Sequence, residues 1–168
     1  MTLENHSWTY LNREIIACRK CPRLVAWREE VARVKRRAFR DAEYWGKPVP
    51  AFGDPNARLL VIGLAPGAHG SNRTGRMFTG DASGDFLFGA LFRAGFASLP
   101  KAVSREDGLT LMDVMITAAC RCVPPDNKPT TKEMDTCRPY IHAELDLMPN
   151  IQGIIALGSI GCQTALSI

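Results

Sequence analysis

Residues 58–64 form one short apolar run, Arg58-Leu59-Leu60-Val61-Ile62-Gly63-Leu64. A continuous apolar run of this length is typical of a parallel strand that is buried on both faces. Residues 111–119 and 151–158 have the same character, and helical periodicity separates the runs at residues 83–95 and 132–147. This alternation predicts an α/β fold with helices on both faces of a central parallel sheet.

Both ends of the chain extend this pattern. Apolar residues recur at helical spacing over about residues 8–40, with a break at Pro22. Ser159 is predicted to cap a further helix that has barely begun at Ile168. Because three strands followed by a helix fragment make an unfinished sheet, we expect another strand after residue 168. The sequence therefore predicts a single domain, residues 1–168, that is incomplete at its C-terminus.

Composition narrows the class of protein. The chain has 168 residues, of which 46% are hydrophobic and 23% charged, which is typical of a globular domain. It contains no run of about 18 apolar residues, so we expect no membrane span. The first six residues are polar and no apolar block follows them, which argues against a signal peptide and for a cytoplasmic protein. The net charge of +4 is compatible with a polyanionic partner but is weak support for one.

The six cysteines carry more information than the charge. In a chain without a secretory signal, grouped cysteines indicate metal or cluster ligands more readily than disulfides. Cys18 and Cys21 form a C-x-x-C pair, and Cys137 is preceded by Cys120 and Cys122. Four thiolates suit either a structural zinc ion or a [4Fe–4S] cluster. The wide spacing of the second pair favours the cluster.

Of Cys120 and Cys122, Cys122 is the better candidate for the ligand that acts together with Cys137. It directly precedes Val123-Pro124-Pro125, a segment whose prolines stiffen the backbone where a ligand must be held. Cys120 is predicted to face the core as the last strand residue. Cys162 is predicted to be a small buried apolar residue in the last helix.

A glycine-rich loop, residues 65–80, follows the first strand. It lies at the carboxyl end of a parallel strand, where open α/β sheets bind ligands. It is not a P-loop, because no Gly-Lys-Ser or Gly-Lys-Thr follows, and Pro66 removes an amide that a dinucleotide fingerprint needs. Phe78 offers an aromatic face for a base, and Arg73 and Arg76 are suited to holding phosphates. The alternative is a connecting loop in which Phe78 packs in the core.

This loop resembles the first active-site motif of the family 5 uracil-DNA glycosylases. The matching residues are Gly63-Leu64-Ala65-Pro66, Ala68-His69-Gly70 and Asn72-Arg73-Thr74-Gly75-Arg76-Met77-Phe78-Thr79-Gly80-Asp81. Residues 44–55 and 122–129 are also similar to that family, so the resemblance covers essentially the whole chain. It implies a three-layer α/β/α fold around a four-stranded parallel sheet. It also implies a [4Fe–4S] cluster bound by Cys18, Cys21, Cys122 and Cys137.

The resemblance implies a DNA repair enzyme of base excision repair. Such an enzyme hydrolyses the N-glycosidic bond of uracil and other deaminated bases, in double- or single-stranded DNA, and leaves an abasic site. We expect a monomeric, nucleoid-associated prokaryotic protein. The expected base-binding residues are Gly63, Leu64, Ala65, Ala68, His69 and Phe78, and the expected DNA-binding residues are Asn72, Arg73 and Arg76.

Two residues are candidates for the chemistry. Ala68 holds the place where related glycosylases have an acid or amide, so Asp81 is our candidate for activating water or stabilising the cationic sugar. The alternative for Asp81 is a carboxylate favoured by the N-terminus of the following helix. Asn127 has an amide that both donates and accepts hydrogen bonds, which suits a base edge or a water molecule. Its alternative is an ordinary turn residue.

One family motif has no counterpart here. The family carries a His-Pro-Ser segment after its fourth strand, and the chain ends before that point. We therefore expect either a fragment or a truncated variant. A non-catalytic iron–sulfur module that binds DNA is the main alternative function, and a zinc-bound phosphate or nucleotide enzyme is the second.

Overall fold

The fold is described by a computed structural model, which covers residues 7–168. The polar segment 1–6, on which the prediction of no signal peptide depends, lies outside the described residues. No helix in the described part of the chain is both long and apolar enough to span a membrane. In chain order, the helices and strands of the protein are α1 (Trp8–Ala17), α2 (Pro22–Val34), β1 (Phe52–Gly53), β2 (Leu59–Gly63), α3 (Ser71–Thr74), α4 (Ala82–Arg93), β3 (Val114–Ala118), α5 (Thr131–Asp146), β4 (Gly153–Ala156) and α6 (Gly158–Ala165).

The three predicted strands form a parallel sheet. Strand β2 lies between β3 and β4, with Val61 paired to Ile116 on one side and to Ile155 on the other. This arrangement confirms the predicted α/β class. A fourth strand, β1, pairs antiparallel with β3 at the sheet edge, so the order is β1-β3-β2-β4 and the sheet is mixed. Sequence analysis missed β1 because two residues inside a Pro- and Gly-rich segment show no periodicity.

Helices cover both faces of this sheet, as predicted. On one face, Phe88 of α4 packs with Val61 and Ile116. On the other face, Leu60 and Ile62 form a second core cluster with residues of α1, α5 and α6 and with the chain between them. Alternate side chains of β2 therefore supply both cores, which is why its sequence reads as a continuous apolar run.

The helices begin close to their predicted positions, with one correction. Helix α5 starts with a capping box in which Thr130 and Glu133 each accept a hydrogen bond from the other's backbone N–H. Helix α6 begins at Gly158, directly after its N-cap residue Leu157, so Ser159 lies inside the helix and does not cap it. The chain passes from β4 into α6 with only one residue between them, which leaves no room for a cap at residue 159.

A buried ion pair joins the sheet to α5. The carboxylate of Glu144 accepts hydrogen bonds of 2.7 Å from the Arg121 guanidinium and from the Thr117 hydroxyl. Glu144 is fully buried and Arg121 is 1% exposed. Because Arg121 lies between Cys120 and Cys122, the pair also fixes the loop that carries the predicted cluster ligand.

Removing the carboxylate of this pair should destabilise the fold severely. We expect Glu144→Ala to lower the free energy of unfolding by about 3–5 kcal/mol, because Arg121 is left as a buried and unpaired charge. Asp135→Ala removes an exposed carboxylate from the same helix, one that pairs with Arg138, and should cost less than about 1 kcal/mol. Urea unfolding of the two variants measures the difference, and equal small losses would show that the buried pair contributes little.

Candidate active site

A cavity of about 450 Å³ lies where β2 ends, between the glycine-rich loop and the start of α4. All eight predicted base-binding and catalytic residues line it: Gly63, Leu64, Ala65, Ala68, His69, Phe78, Asp81 and Asn127. The structure therefore brings together residues that are as far apart in sequence as 63 and 127. Leu157 also lines the cavity and was not predicted. Its position just after β4 was the available signal, because the carboxyl ends of parallel strands meet at one sheet edge.

Phe78 has an unusual backbone conformation that places its ring over the end of β2. Its φ angle is +52°, in the left-handed region that side chains rarely adopt. A Cβ atom at Gly63 would lie 2.7 Å from the ring atom Cζ, so only glycine permits this approach. The ring is half-buried: it packs against the core cluster beneath it and also lines the cavity. Both interpretations of Phe78, core packing and cavity wall, thus hold for different parts of the ring.

The Asp81 carboxylate is held in place by a helix and by two glycines. Its Oδ1 accepts a 3.0 Å hydrogen bond from the Gly84 N–H, which makes Asp81 the N-cap of α4. A Cβ atom would lie 2.9 Å from its Oδ2 if added at Gly67 and 1.9 Å if added at Gly70. The predicted helix-terminal role is confirmed for Oδ1, whereas Oδ2 lies beside Gly67 at the cavity wall. Water activation by Asp81 stays a prediction.

His69 is held by a tyrosine that the sequence did not single out. The Tyr44 hydroxyl lies 3.0 Å from His69 Nδ1, and the two rings meet edge to face. Burial lowers the pKa of His69, and the nearby positive charges of Arg36 and Arg73 lower it further. Both effects favour the neutral imidazole, and His69 lies in the cavity wall as predicted.

Two of the three predicted DNA-binding residues require correction, because they are buried. Asn72 is 0% exposed and its Nδ2 donates to the backbone oxygen of Arg28. Arg76 is 5% exposed and forms a two-pronged ion pair with Asp107, at 2.8 and 2.6 Å. Burial alone would raise the pKa of Asp107, but this guanidinium and three backbone N–H groups hold it well below its usual range. Both side chains shape the loop instead of reaching phosphates.

Arg73 connects the two ends of the same loop. Its guanidinium donates to the backbone oxygens of His69, at 2.7 Å, and Gly80, at 3.1 Å, and lies over the Phe39 ring. The side chain is only half-buried. Phosphate contact by Arg73 therefore stays a prediction.

The four predicted cluster ligands, Cys18, Cys21, Cys122 and Cys137, line one small cavity between α2, α5 and the loop after β3. Arg28, which is 2% exposed, donates a 3.0 Å hydrogen bond from its guanidinium to Cys122 Sγ. Burial raises the pKa of Cys122 to about 12 despite the opposing effect of Arg28. No group of three or more His, Cys, Asp or Glu side chains within residues 7–168 is arranged to hold a single metal ion.

The two remaining cysteines differ from their predicted positions. Cys120 is buried as expected but lies two residues beyond the end of β3, where its thiol makes a hydrogen bond with Cys137 that lowers the pKa of Cys137. Cys162 is exposed on α6 and is not a buried apolar residue. The prediction for Cys162 failed because the short sequence of α6 does not indicate which face of the helix packs against the sheet.

Comparison with known proteins agrees with this geometry. The family model of the Uracil DNA glycosylase superfamily matches residues 50–168. A type-5 uracil-DNA glycosylase from Mycobacterium bovis is 56% identical over 159 residues, which are 94% of this chain and 59% of that protein. One from Thermus thermophilus is 55% identical over 153 residues, covering 91% and 69%. A type-4 uracil-DNA glycosylase from Pyrobaculum aerophilum is 32% identical over 127 residues, covering 75% and 57%.

The contact between Gly70 and Asp81 can be tested by a double-mutant cycle. Gly70→Ala should destabilise the chain by about 1–3 kcal/mol, because its methyl group would overlap the Asp81 carboxylate. In an Asp81→Ala background the carboxylate is absent, so the same substitution should cost less by at least about 0.5 kcal/mol. Urea unfolding of the four proteins gives the coupling free energy. Strictly additive losses would show that the two residues do not touch.

Proposed function

The chain belongs to the uracil DNA glycosylase superfamily, in its type-5 group, and from this premise we propose that it hydrolyses the N-glycosidic bond of uracil and other deaminated bases in DNA. The chain spans 59% of the length of its Mycobacterium bovis relative, so the proposal concerns the base-binding and catalytic residues present here. The observation that carries it is the convergence of eight predicted residues on one cavity. A DNA substrate would place the protein at the nucleoid of a prokaryotic cell.

The cavity offers an extruded base both a flat face and hydrogen-bond donors. A base must leave the stack before its glycosidic bond can be reached, and deaminated, mispaired bases leave at the lowest cost. Phe78 supplies the stacking face. The backbone N–H groups of Ala65, Gly67 and Ala68 make no hydrogen bond within residues 7–168, and all three residues line the cavity. They are thus available to stabilise negative charge on the oxygens of the departing base.

We assign to Asp81 and Asn127, which both line the cavity, the chemical steps on the sugar and on water. The sugar becomes cationic as the bond breaks, so a carboxylate at the cavity wall stabilises it or takes a proton from the attacking water. Asn127 follows Asp126 in the left-handed region, with φ angles of +55° and +53°, and lines the cavity from the loop after β3. The side chain of Ala68 supplies neither a carboxyl nor an amide group. Because no acidic or amide side chain at this position selects one base, we expect the pocket to accept several deaminated bases.

We further propose that the four thiols bind a [4Fe–4S] cluster. The donor set suits such a cluster, because each of four thiolates binds one iron. Arg28 is buried beside Cys122, and its Nε has no partner within residues 7–168. Its carboxylate partner, the exposed Glu29, lies 4.0 Å away, so an anionic cluster would give this buried charge a second anionic partner. When bound, the group would serve structurally, joining the α1–α2 junction to α5 and the loop after β3.

Base release tests the assignment of Asp81. Asp81→Asn removes the negative charge but keeps an N-cap of equal quality, so stability should change little. We expect uracil release from a duplex to fall by about 100-fold or more, which is typical for loss of a general acid–base group. Asp85→Asn removes a carboxylate one turn further along α4 and should leave the rate nearly unchanged. An Asp81→Asn variant that releases uracil at the unaltered rate would overturn the assignment. DNA binding without any release by the unaltered chain would favour the non-catalytic alternative.

The cluster proposal is tested by the iron content and the colour of the protein. The unaltered protein should contain about four irons per chain and absorb broadly near 400 nm. Arg28→Met should weaken retention of the cluster, because partners of metal ligands typically contribute about 10–100-fold in affinity. Arg33→Met alters an exposed arginine of the same helix and should retain full iron. A colourless unaltered protein would exclude the cluster, and full iron in Arg28→Met would exclude the role of Arg28.

A further inference from the structure

Because Asn72 and Arg76 are buried, the phosphates of a DNA substrate must be bound by other side chains. A second cavity, of about 710 Å³, lies between α1 and the segments that carry Lys47 and Arg105. None of its lining residues is acidic, and five are cationic: Arg13, Arg19, Arg28, Lys47 and Arg105. A cavity lined by charges of one sign concentrates ions of the opposite sign.

Three of these cations carry charge that no carboxylate neutralises. Arg13, Lys47 and Arg105 are exposed and form no ion pair within residues 7–168, whereas Arg19 pairs with Glu29. Lys47 and Arg105 both lie over the ring of Trp45, at 5.4 and 4.4 Å from its centroid. An aromatic ring orients a cation without cancelling its charge. These side chains are therefore held in position with their charge available to a ligand.

The basic cavity continues toward the candidate active site. A third cavity, of about 530 Å³, shares Lys47 and Arg105 with it and extends to Arg73 and Tyr44. This third cavity also contains Glu43 and Glu106, so its positive charge is concentrated at the shared residues. The Tyr44 hydroxyl in turn contacts His69, which lines the base cavity. A connected surface thus runs from the base cavity to α1.

We propose that Arg73, Arg105, Lys47 and Arg13 form a phosphate track that binds the sugar–phosphate backbone of the strand next to the extruded base. The ligand class is the nucleic-acid phosphodiester, because a row of separate cations matches a row of separate anions. This inference rests on the proposed function, since the strand it binds is that of the substrate. It keeps Arg73 from the predicted loop and replaces the buried Asn72 and Arg76 with cations as far apart in the chain as residues 13 and 105.

Salt dependence of binding tests the phosphate track. The affinity for a uracil-free duplex should be measured by fluorescence anisotropy between about 50 and 200 mM salt. Each lost phosphate contact reduces the slope of log K against log salt by about 0.9, so Lys47→Gln with Arg105→Gln should reduce it by about 1.8. The control is Arg93→Gln with Lys132→Gln, which removes the same charge from exposed residues at the end of α4 and the start of α5, neither of which forms an ion pair within residues 7–168.

The outcomes separate the phosphate track from the proposed function. Equal slopes for the two double variants, or no measurable binding by the unaltered protein, would overturn the track. Salt-dependent binding with the expected difference, but no uracil release, would support the track and defeat the glycosylase proposal. If the Lys47 and Arg105 double variant does not fold, Lys47→Gln and Arg13→Gln alone should each reduce the slope by about 0.9. Unchanged slopes in both single variants would equally overturn it.

Discussion

The packing of the Asp81 carboxylate against glycine is the constraint on which the candidate active site depends. One carboxylate oxygen caps α4, and the other lies 2.9 Å from where a Cβ atom of Gly67 would be and 1.9 Å from where one of Gly70 would be. The two ends of the loop are thereby brought to the same point at the end of β2. Gly84 extends the constraint, because its Cβ would lie 1.8 Å from the Phe78 carbonyl oxygen. Helix, loop and strand end therefore form one unit, and the cavity is the space they leave.

A second connection joins this unit to the thiol-lined cavity. Asn72, in the short helix α3 of the loop, donates to the backbone oxygen of Arg28, while the side chain of Arg28 contacts Cys122. Arg28 thus contacts both regions with different parts of one residue. A structural cluster would hold α2 in place, and α2 in turn supports the loop that shapes the base cavity. The proposed cofactor would act on catalysis through position and would need no part in the chemistry.

Sequence analysis succeeded where function and fold coincide in one continuous segment. The apolar run of β2 and the loop that follows are consecutive, so the strand, the cavity and its lining from Gly63 to Asp81 were all predictable. Between distant segments, only residues that belong to a recognisable motif, such as Asn127 and the four cysteines, were predicted to meet. The burial of Arg76 depends on Asp107, 31 residues later, and Tyr44 contributes only because folding brings it to His69. No periodicity or motif in either segment specifies such a pairing.

The arginines show why net charge alone is a poor guide to a DNA-binding surface. Arg76 and Arg121 are buried, and they form ion pairs with Asp107 and Glu144 respectively. A buried guanidinium needs a fixed anionic partner, so such residues serve the fold and are withdrawn from the surface potential. Exposed cations that are oriented only by an aromatic ring, such as Lys47 and Arg105, still contribute to the positive electrostatic potential at the surface. The charge available to a polyanion is thus decided by which cations folding leaves without a carboxylate, a property of the tertiary structure that a formal count of +4 does not contain.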